Sequence, residues 1–208
     1  MSVSAQRSLA LRPGECGATA GAFHIEEVYP ALECGRYPVK RRAGETVEVW
    51  ADVYRSGHDI VVAELIWRRA GTSPWQRVPM TFFENDRWFA RFTPTEPGRY
   101  EYAVEAWTDS YATWRHGFEL KAKAGQDVTL DAQEGAALLA QPINADERTS
   151  AYVRQQLDTY LQSGKAEMLL GNELSAGLTS TQERSGLARS RLYPLVIDRE
   201  RAIAGAWY

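Results

Sequence analysis

Hydrophobic and polar positions alternate through the first half of the chain. Val47, Val49, Ala51 and Val53 fall on one side of an extended segment, and Thr46, Glu48, Asp52 and Tyr54 on the other, the period of a half-buried strand. The run 60–69 repeats the pattern with Val61, Ala63, Leu65 and Trp67, and Tyr100, Tyr102, Val104 and Ala106 repeat it again. Turn-forming strings separate these runs: Arg55-Ser-Gly-His-Asp59, Ala70-Gly-Thr-Ser-Pro74, Glu84-Asn-Asp86 and Pro94-Thr-Glu-Pro-Gly98. Short strands at this spacing predict an antiparallel β-sandwich of about seven or eight strands over 23–121. The step from Pro97-Gly98 into Tyr100 and Tyr102 looks like the start of a strand in immunoglobulin-like domains.

The pattern changes near Ala122. Most aromatic residues lie between Gly44 and Lys121, whereas 122–192 holds only Tyr152 and Tyr160, so a core of Trp, Phe and Tyr gives way to one of Leu and Ala. Asp127 predicts the cap of a helix carrying Leu130, Glu134, Ala137 and Leu138 and ended by Pro142. Asn144 predicts the next cap, with Val153, Leu157, Tyr160 and Leu161 on one face and Gly164 as the stop. Shorter helices are expected over 166–170 and 181–189, and a loop over 174–180. The fold class is therefore mainly β with an α appendage: an immunoglobulin-like antiparallel β-sandwich followed by a small helical domain. So small a helical unit buries little alone and is expected to lean on other structure, while 23–121 is expected to fold without it.

Composition narrows the function classes. The chain has 208 residues, of which 44% are hydrophobic and 25% charged, an ordinary globular mix. A net charge of −3 argues against a nucleic-acid binder, which would show a basic stripe. No apolar run approaches the roughly 18 residues of a membrane span, and 1–21 has no continuous apolar region of a secretory signal. The two cysteines, Cys16 and Cys34, form no disulfide framework, so a reducing cytoplasm is the expected location. Scattered histidines and cysteines point to no metal, and Gly164-Lys165 lacks the upstream glycine of a phosphate loop, so no cofactor is expected.

Candidate chemistry is sparse. Ser56, His58 and Asp59 sit in a hairpin turn rather than converging as a triad, with Asp59 expected to bond backbone. Among the carboxylates Glu26, Glu27, Asp52, Glu101, Glu105 and Asp109 no spacing singles out an acid and a nucleophile, and Glu101 and Glu105 are expected on a solvated strand face. Arg36, Lys40, Arg41 and Arg42 read as a solvated turn or as a contact for an anion or a partner subunit. Tryptophans are the remaining signal, because an indole face can stack on a sugar ring. Trp67 and Trp88 are expected in the core, whereas Trp50, Trp75, Trp107 and Trp114 have polar neighbours. Trp114 and Trp75 are the candidate saccharide-binding residues.

The strings Glu27-Val-Tyr-Pro30, Cys34-Gly-Arg-Tyr-Pro-Val-Lys-Arg41, Asp52-Val-Tyr-Arg-Ser-Gly-His-Asp59, Pro97-Gly-Arg-Tyr-Glu-Tyr102, Ala112-Thr-Trp-Arg-His116, Ala124-Gly-Gln-Asp-Val128, Asp198-Arg-Glu-Arg201 and Gly205-Ala-Trp-Tyr208 together resemble one family. It is the N-terminal region of the bacterial α-1,4-glucan:maltose-1-phosphate maltosyltransferases, of the α-amylase type. The resemblance covers the chain from about residue 23 onward. It implies an immunoglobulin-like sandwich at 22–121, a helical domain at 122–192 and the start of a catalytic (β/α)8 barrel at 193–208; residues 1–21, which it does not cover, are expected to be a flexible leader. It also implies transfer of a maltosyl unit to α-1,4-glucan by a retaining mechanism whose carboxylates belong to the barrel, so no catalytic residue carries over to this chain. The implied partners are the protein's own barrel and the second subunit of a homodimer, with no nucleic acid and no membrane. The expected role is architecture and dimerisation. An α-glucan-binding module and a free-standing immunoglobulin-like interaction domain are the alternatives.

Overall fold

The computed structural model describes residues 18–20, 22–72, 74–141, 145–179 and 184–199. Pro142, Asn144, the closing 201–208 and most of the expected leader lie outside the described residues. The rest forms two compact units. One takes the residues up to Tyr54, Ala63–Ala106 and the residues from Ala188 on; the other takes Arg55–Val62 and Trp107–Leu187.

The first unit is a two-sheet sandwich. Strands β1 (Ala18–Ala20), β2 (Phe23–Tyr29), β4 (Val47–Arg55), β7 (Thr81–Glu84) and β8 (Arg87–Phe92) build one sheet in the order β1-β2-β4-β8-β7. Strands β3 (Val39–Arg42), β5 (Val61–Arg69), β6 (Gln76–Pro79), β9 (Gly98–Thr108) and β11 (Tyr193–Asp198) build the other in the order β3-β11-β9-β5-β6, with β10 (Ser185–Arg189) paired to β9. β2 to β9 are the eight strands that the alternation predicts. Inward positions fill the core: Ile25, Val47, Val49, Ala51, Val53, Ala90 and Phe92 from one sheet, Ala63, Leu65, Tyr100, Tyr102 and Val104 from the other, all buried. Each fully buried aliphatic side chain contributes about 1.5–3 kcal/mol.

The second sheet closes late in the sequence. β11 pairs antiparallel with β9, Tyr193 opposite Tyr102, and parallel with β3, Leu195 opposite Val39. Tyr193, Leu195 and Ile197 are buried, so this apolar run belongs to the sandwich in a range expected to begin a barrel. Pro194 lies one residue ahead of the β3 register, where its missing N–H interrupts no ladder bond to that strand. Gly35 makes room for the Tyr193 ring, because a Cβ there would sit 2.9 Å from Cδ1, at a φ of +81°. Ala18–Ala20, placed by sequence in the leader, forms a strand against β2. Cys34 is disulfide-bonded, so the cysteines give no support to a reducing compartment.

The second unit is helical: α1 (Ser110–Lys123), α2 (Thr129–Leu139), α3 (Glu147–Ser163) and α4 (Asn172–Thr179). Helix begins at Ser110, about three turns before the expected change at Ala122. The Asp109 carboxylate accepts from the Ala112 N–H at 2.8 Å and starts α1. Tyr111, Trp114 and Phe118 then recur at helical spacing and join Leu139, Val153, Leu169, Leu174 and Leu178 in a core of their own. These aromatics look like sandwich residues by composition and are helix-core residues by period. Asp146, rather than Asn144, caps α3, and Gly164 ends it at a φ of 67°. Asp127 accepts from the Thr129 N–H and hydroxyl just ahead of α2. Leu161 is exposed, not on the buried face of α3. The segment expected as a loop at 174–180 is largely α4, and of the helix expected over 181–189, 181–183 lie outside the described residues and Ser185–Arg189 is β10, a strand along β9.

Two outcomes follow from this arrangement. A chain ending at residue 121 lacks β11 and therefore Tyr193, Leu195 and Ile197; it is expected to show no cooperative thermal transition by circular dichroism, since losing several contributions of about 1.5–3 kcal/mol exhausts a typical domain stability of about 5–15 kcal/mol. That reverses the expectation that 23–121 folds unaided. Gly135 in α2 faces Trp114, and an added Cβ would lie 2.0 Å from the indole Cζ2. Gly135→Ala is expected to lower stability by about 1–3 kcal/mol in urea unfolding, overpacking outweighing the gain of up to about 1 kcal/mol in helix propensity.

Candidate functional site

The carboxylates are committed to arginines. Glu105, expected on a solvated face, is fully buried, because β9 is covered on both sides. It accepts from Arg77 at 2.7 Å and from Arg189 at 2.5 Å, and Arg77 also reaches Glu64 at 2.7 Å. Burial pushes the Glu105 carboxyl up, but the two guanidinium hydrogen bonds more than offset it and hold the group below its ordinary range. Glu101 pairs with Arg68 at 2.6 Å and Asp52 with Arg87 at 2.7 Å. A general acid for glycosyl transfer needs a raised pKa, and the two guanidiniums against Glu105 do the opposite. Asp59 of the Ser-Gly-His-Asp turn binds the Arg55 guanidinium at 2.7 Å, so its partner is a side chain rather than backbone. Among the described residues no group of three or more His, Cys, Asp or Glu could hold a metal, and no helix is long and apolar enough to cross a membrane.

The tryptophans separate into distinct surroundings. Trp107, expected among the exposable rings, is buried, with the Arg184 guanidinium 4.3 Å from its ring. Trp67 and Trp88 are partly buried; Trp67 lies 4.7 Å from Phe92 and Trp88 donates to the Val53 carbonyl. Trp75 is partly buried beneath Arg68, whose guanidinium carbon lies 4.1 Å from its ring, a cation–π contact that occupies one face. Trp114 is partly buried between Tyr111 and Phe118, and its Nε1–H donates to the Asp131 carbonyl at 2.6 Å. It borders an open groove of about 610 Å³ in the helical unit with Arg55, Asp59, Asp131, Glu134 and Gln141.

Trp50 has a different setting. It lies on the outward face of β4, 4.8 Å from Phe89 and 5.6 Å from the edge-on Phe83. A second open cleft, of about 570 Å³, runs beside it and is lined by Tyr29, Asp52, Phe83, Asn85 and Arg87. The alternation of β4 places Trp50 and Asp52 on one face from sequence alone. Tyr29, Phe83 and Asn85 come from other strands and a turn, and carry no sequence signal that joins them. The basic cluster is partly neutralised: Lys40, Arg41, Arg42 and Arg199 share a surface hollow with Glu45 and Asp198, and Arg41 Nε lies 3.7 Å from the Glu45 carboxylate.

The profile of "Alpha-1,4-glucan:maltose-1-phosphate maltosyltransferase, domain N/S" matches residues 21–199. Proteins named α-1,4-glucan:maltose-1-phosphate maltosyltransferase are similar along most of the chain. The Myxococcus xanthus protein is 40% identical over 201 residues, covering 90% of this chain and 30% of the relative. The Chlorobaculum tepidum protein is 38% identical, covering 88% and 28%, and the Rhodospirillum rubrum protein 37% identical, covering 88% and 30%. The chain thus spans about 30% of the length of these relatives. With a sandwich and a helical unit within the matched span, the chain belongs to the domain N/S family of the α-1,4-glucan:maltose-1-phosphate maltosyltransferases.

Proposed function

We propose that this chain is the non-catalytic N-terminal part of a maltosyltransferase that extends α-1,4-glucans with maltose 1-phosphate as donor. The observation that carries the reading is the match over 21–199 to a domain found in relatives more than three times as long. The reaction moves a maltosyl unit to the non-reducing end of the acceptor with retention. It needs a carboxylate nucleophile and a carboxylic acid about 5 Å apart, which an amylase-type barrel supplies from the ends of different strands. Glu105, buried and held below its ordinary range by two guanidiniums, is unsuited to the acid's role. The working division is a sandwich closed by β11, a helical domain that begins with α1 and a lead into the barrel beyond β11, acting in the cytoplasm, where a phosphorylated sugar donor is kept.

Within that protein the chain serves architecture and dimerisation. Leu120, Leu130 and Leu161 on three helices are 54%, 67% and 67% exposed, apolar surface of the kind a second subunit covers. A second reading, α-glucan binding that steers the acceptor, takes Trp114 and Trp75 as stacking platforms; their partial exposure favours it.

Purified residues 1–208 are expected to release no phosphate from maltose 1-phosphate with a malto-oligosaccharide acceptor, and the chain extended past Tyr208 to release it. Turnover by the short chain, after removal of contaminating enzyme, would overturn the assignment. Replacing Leu130 and Leu161 together with Asp is expected to convert a dimer to a monomer in sedimentation velocity, with little change in melting temperature. A dimer that survives the double substitution places the interface elsewhere.

A further inference from the structure

The outer face of the β4–β8–β7 sheet is built as a rigid aromatic platform. In-register pairing of β4 and β8 sets Trp50 opposite Phe89, Asp52 opposite Arg87 and Glu48 opposite Arg91, and β7 adds Phe83. The indole is fixed at its polar end, since Nε1–H donates to Glu48 at 2.8 Å and Glu48 accepts from Arg91 at 2.5 Å. Those two hydrogen bonds, from Trp50 first and Arg91 second, also hold the Glu48 carboxyl below its ordinary range. Phe89, tilted by 30° at 4.8 Å, and the edge-on Phe83 hold the ring, and the Arg87 guanidinium carbon lies 5.8 Å from its centroid. A ring held this way loses little rotamer freedom when something stacks on it.

Beside the fixed ring, Tyr29 is 56% and Phe83 58% exposed. Such large open aromatics on a globular surface mark a place of contact. The polar groups in the cleft are planar and paired. Asp52 Oδ1 accepts from Arg87 Nη1 at 2.7 Å, and both side chains are about a third exposed, 31% and 32%. A carboxylate accepts from one hydroxyl of a vicinal pair, and the guanidinium beside it donates to the other. Asn85, at a φ of +48° in the β7–β8 turn, adds an amide that both donates and accepts.

The charge balance selects among ligands. Asp52 and Glu84 face Arg87 in the cleft, so an anionic group such as a phosphate meets a net negative surface. A neutral hexose has an apolar C–H face for the aromatic rings and a rim of hydroxyls for the Asp52–Arg87 pair and Asn85. The cleft volume lies within the roughly 300–1,000 Å³ of small-molecule sites. We infer that this face, centred on Trp50, Phe83 and Tyr29 with Asp52, Arg87 and Asn85 at its polar edge, is a binding subsite for an α-1,4-glucan chain. The choice of the α-1,4 linkage rests on the transferase reading; the choice of a neutral saccharide rests on the cleft.

Native electrophoresis of the 208-residue chain in gels holding glycogen or dextran tests the site, with melting temperature as the folding control. Retardation is expected in glycogen and not in dextran. Phe83→Ala and Asp52→Asn are each expected to weaken the apparent affinity at least tenfold while melting within about 2 °C of the parent. Should Asp52→Asn fail to fold, Asn85→Ala takes its place. No retardation in glycogen, equal retardation in dextran, or retardation untouched by Phe83→Ala and Asn85→Ala would overturn the proposal. So would a dimer that Phe83→Ala turns into a monomer, since the face would then seat a second copy. Phosphate release by the extended chain reports on the transferase reading independently, so either reading can fail while the other stands.

Discussion

The ladder of β11 with β9 and β3 is the constraint on which the sandwich depends. β9 carries the tightest part of the core, with Tyr102, Ala103, Val104 and Glu105 all at 0% exposure. Such a strand cannot end at an open edge without exposing unpaired backbone and the flank of its apolar side chains. β11 closes one flank, stacking Tyr193 on Tyr102 at 5.5 Å. Ser190 extends the closure: its N–H donates to the Val104 carbonyl and its hydroxyl accepts from the Val104 N–H, each at 2.9 Å. Because β11 follows the helices in sequence, the sandwich is completed only by a chain that has already passed through the helical unit.

Burial on both faces of β9 also explains the electrostatics. A carboxylate at position 105 cannot face water, so it is tolerated only with Arg77 and Arg189 against it. The same pairing recurs at Glu101 with Arg68, Asp52 with Arg87 and Glu48 with Arg91. These pairs hold strands in register across a sheet.

The helical unit shows the complementary strategy. Its core rests on α1, where Tyr111 is fully buried, its hydroxyl donates to the Leu169 carbonyl at 2.6 Å, and burial pushes its pKa up to about 12. Gly135 lets the Trp114 indole lie directly on α2. Large aromatics from one helix over small residues of the next give a dense contact from few residues, which a unit of this size needs.

Local period alone determined much of this protein. The alternation at β4, β5 and β9 fixed strands and their inward faces, and Gly164 fixed the end of α3, because side-chain direction in a strand and a left-handed cap are properties of a few neighbouring residues. Motif strings placed the chain near its family. Tertiary structure decided what depends on partners distant in sequence. Glu105 reads as solvated until β10 and β6 cover it; Trp107 reads as exposable until Arg184 lies over it. The run 193–198 is apolar by itself, but only the gap between β3 and β9 makes it a sandwich strand. Trp50 and Asp52 share a face by sequence, whereas the cleft they border exists because folding brings Tyr29, Phe83 and Asn85 beside them. Periodicity assigns a side chain to a face, and only the packed fold assigns that face a neighbour.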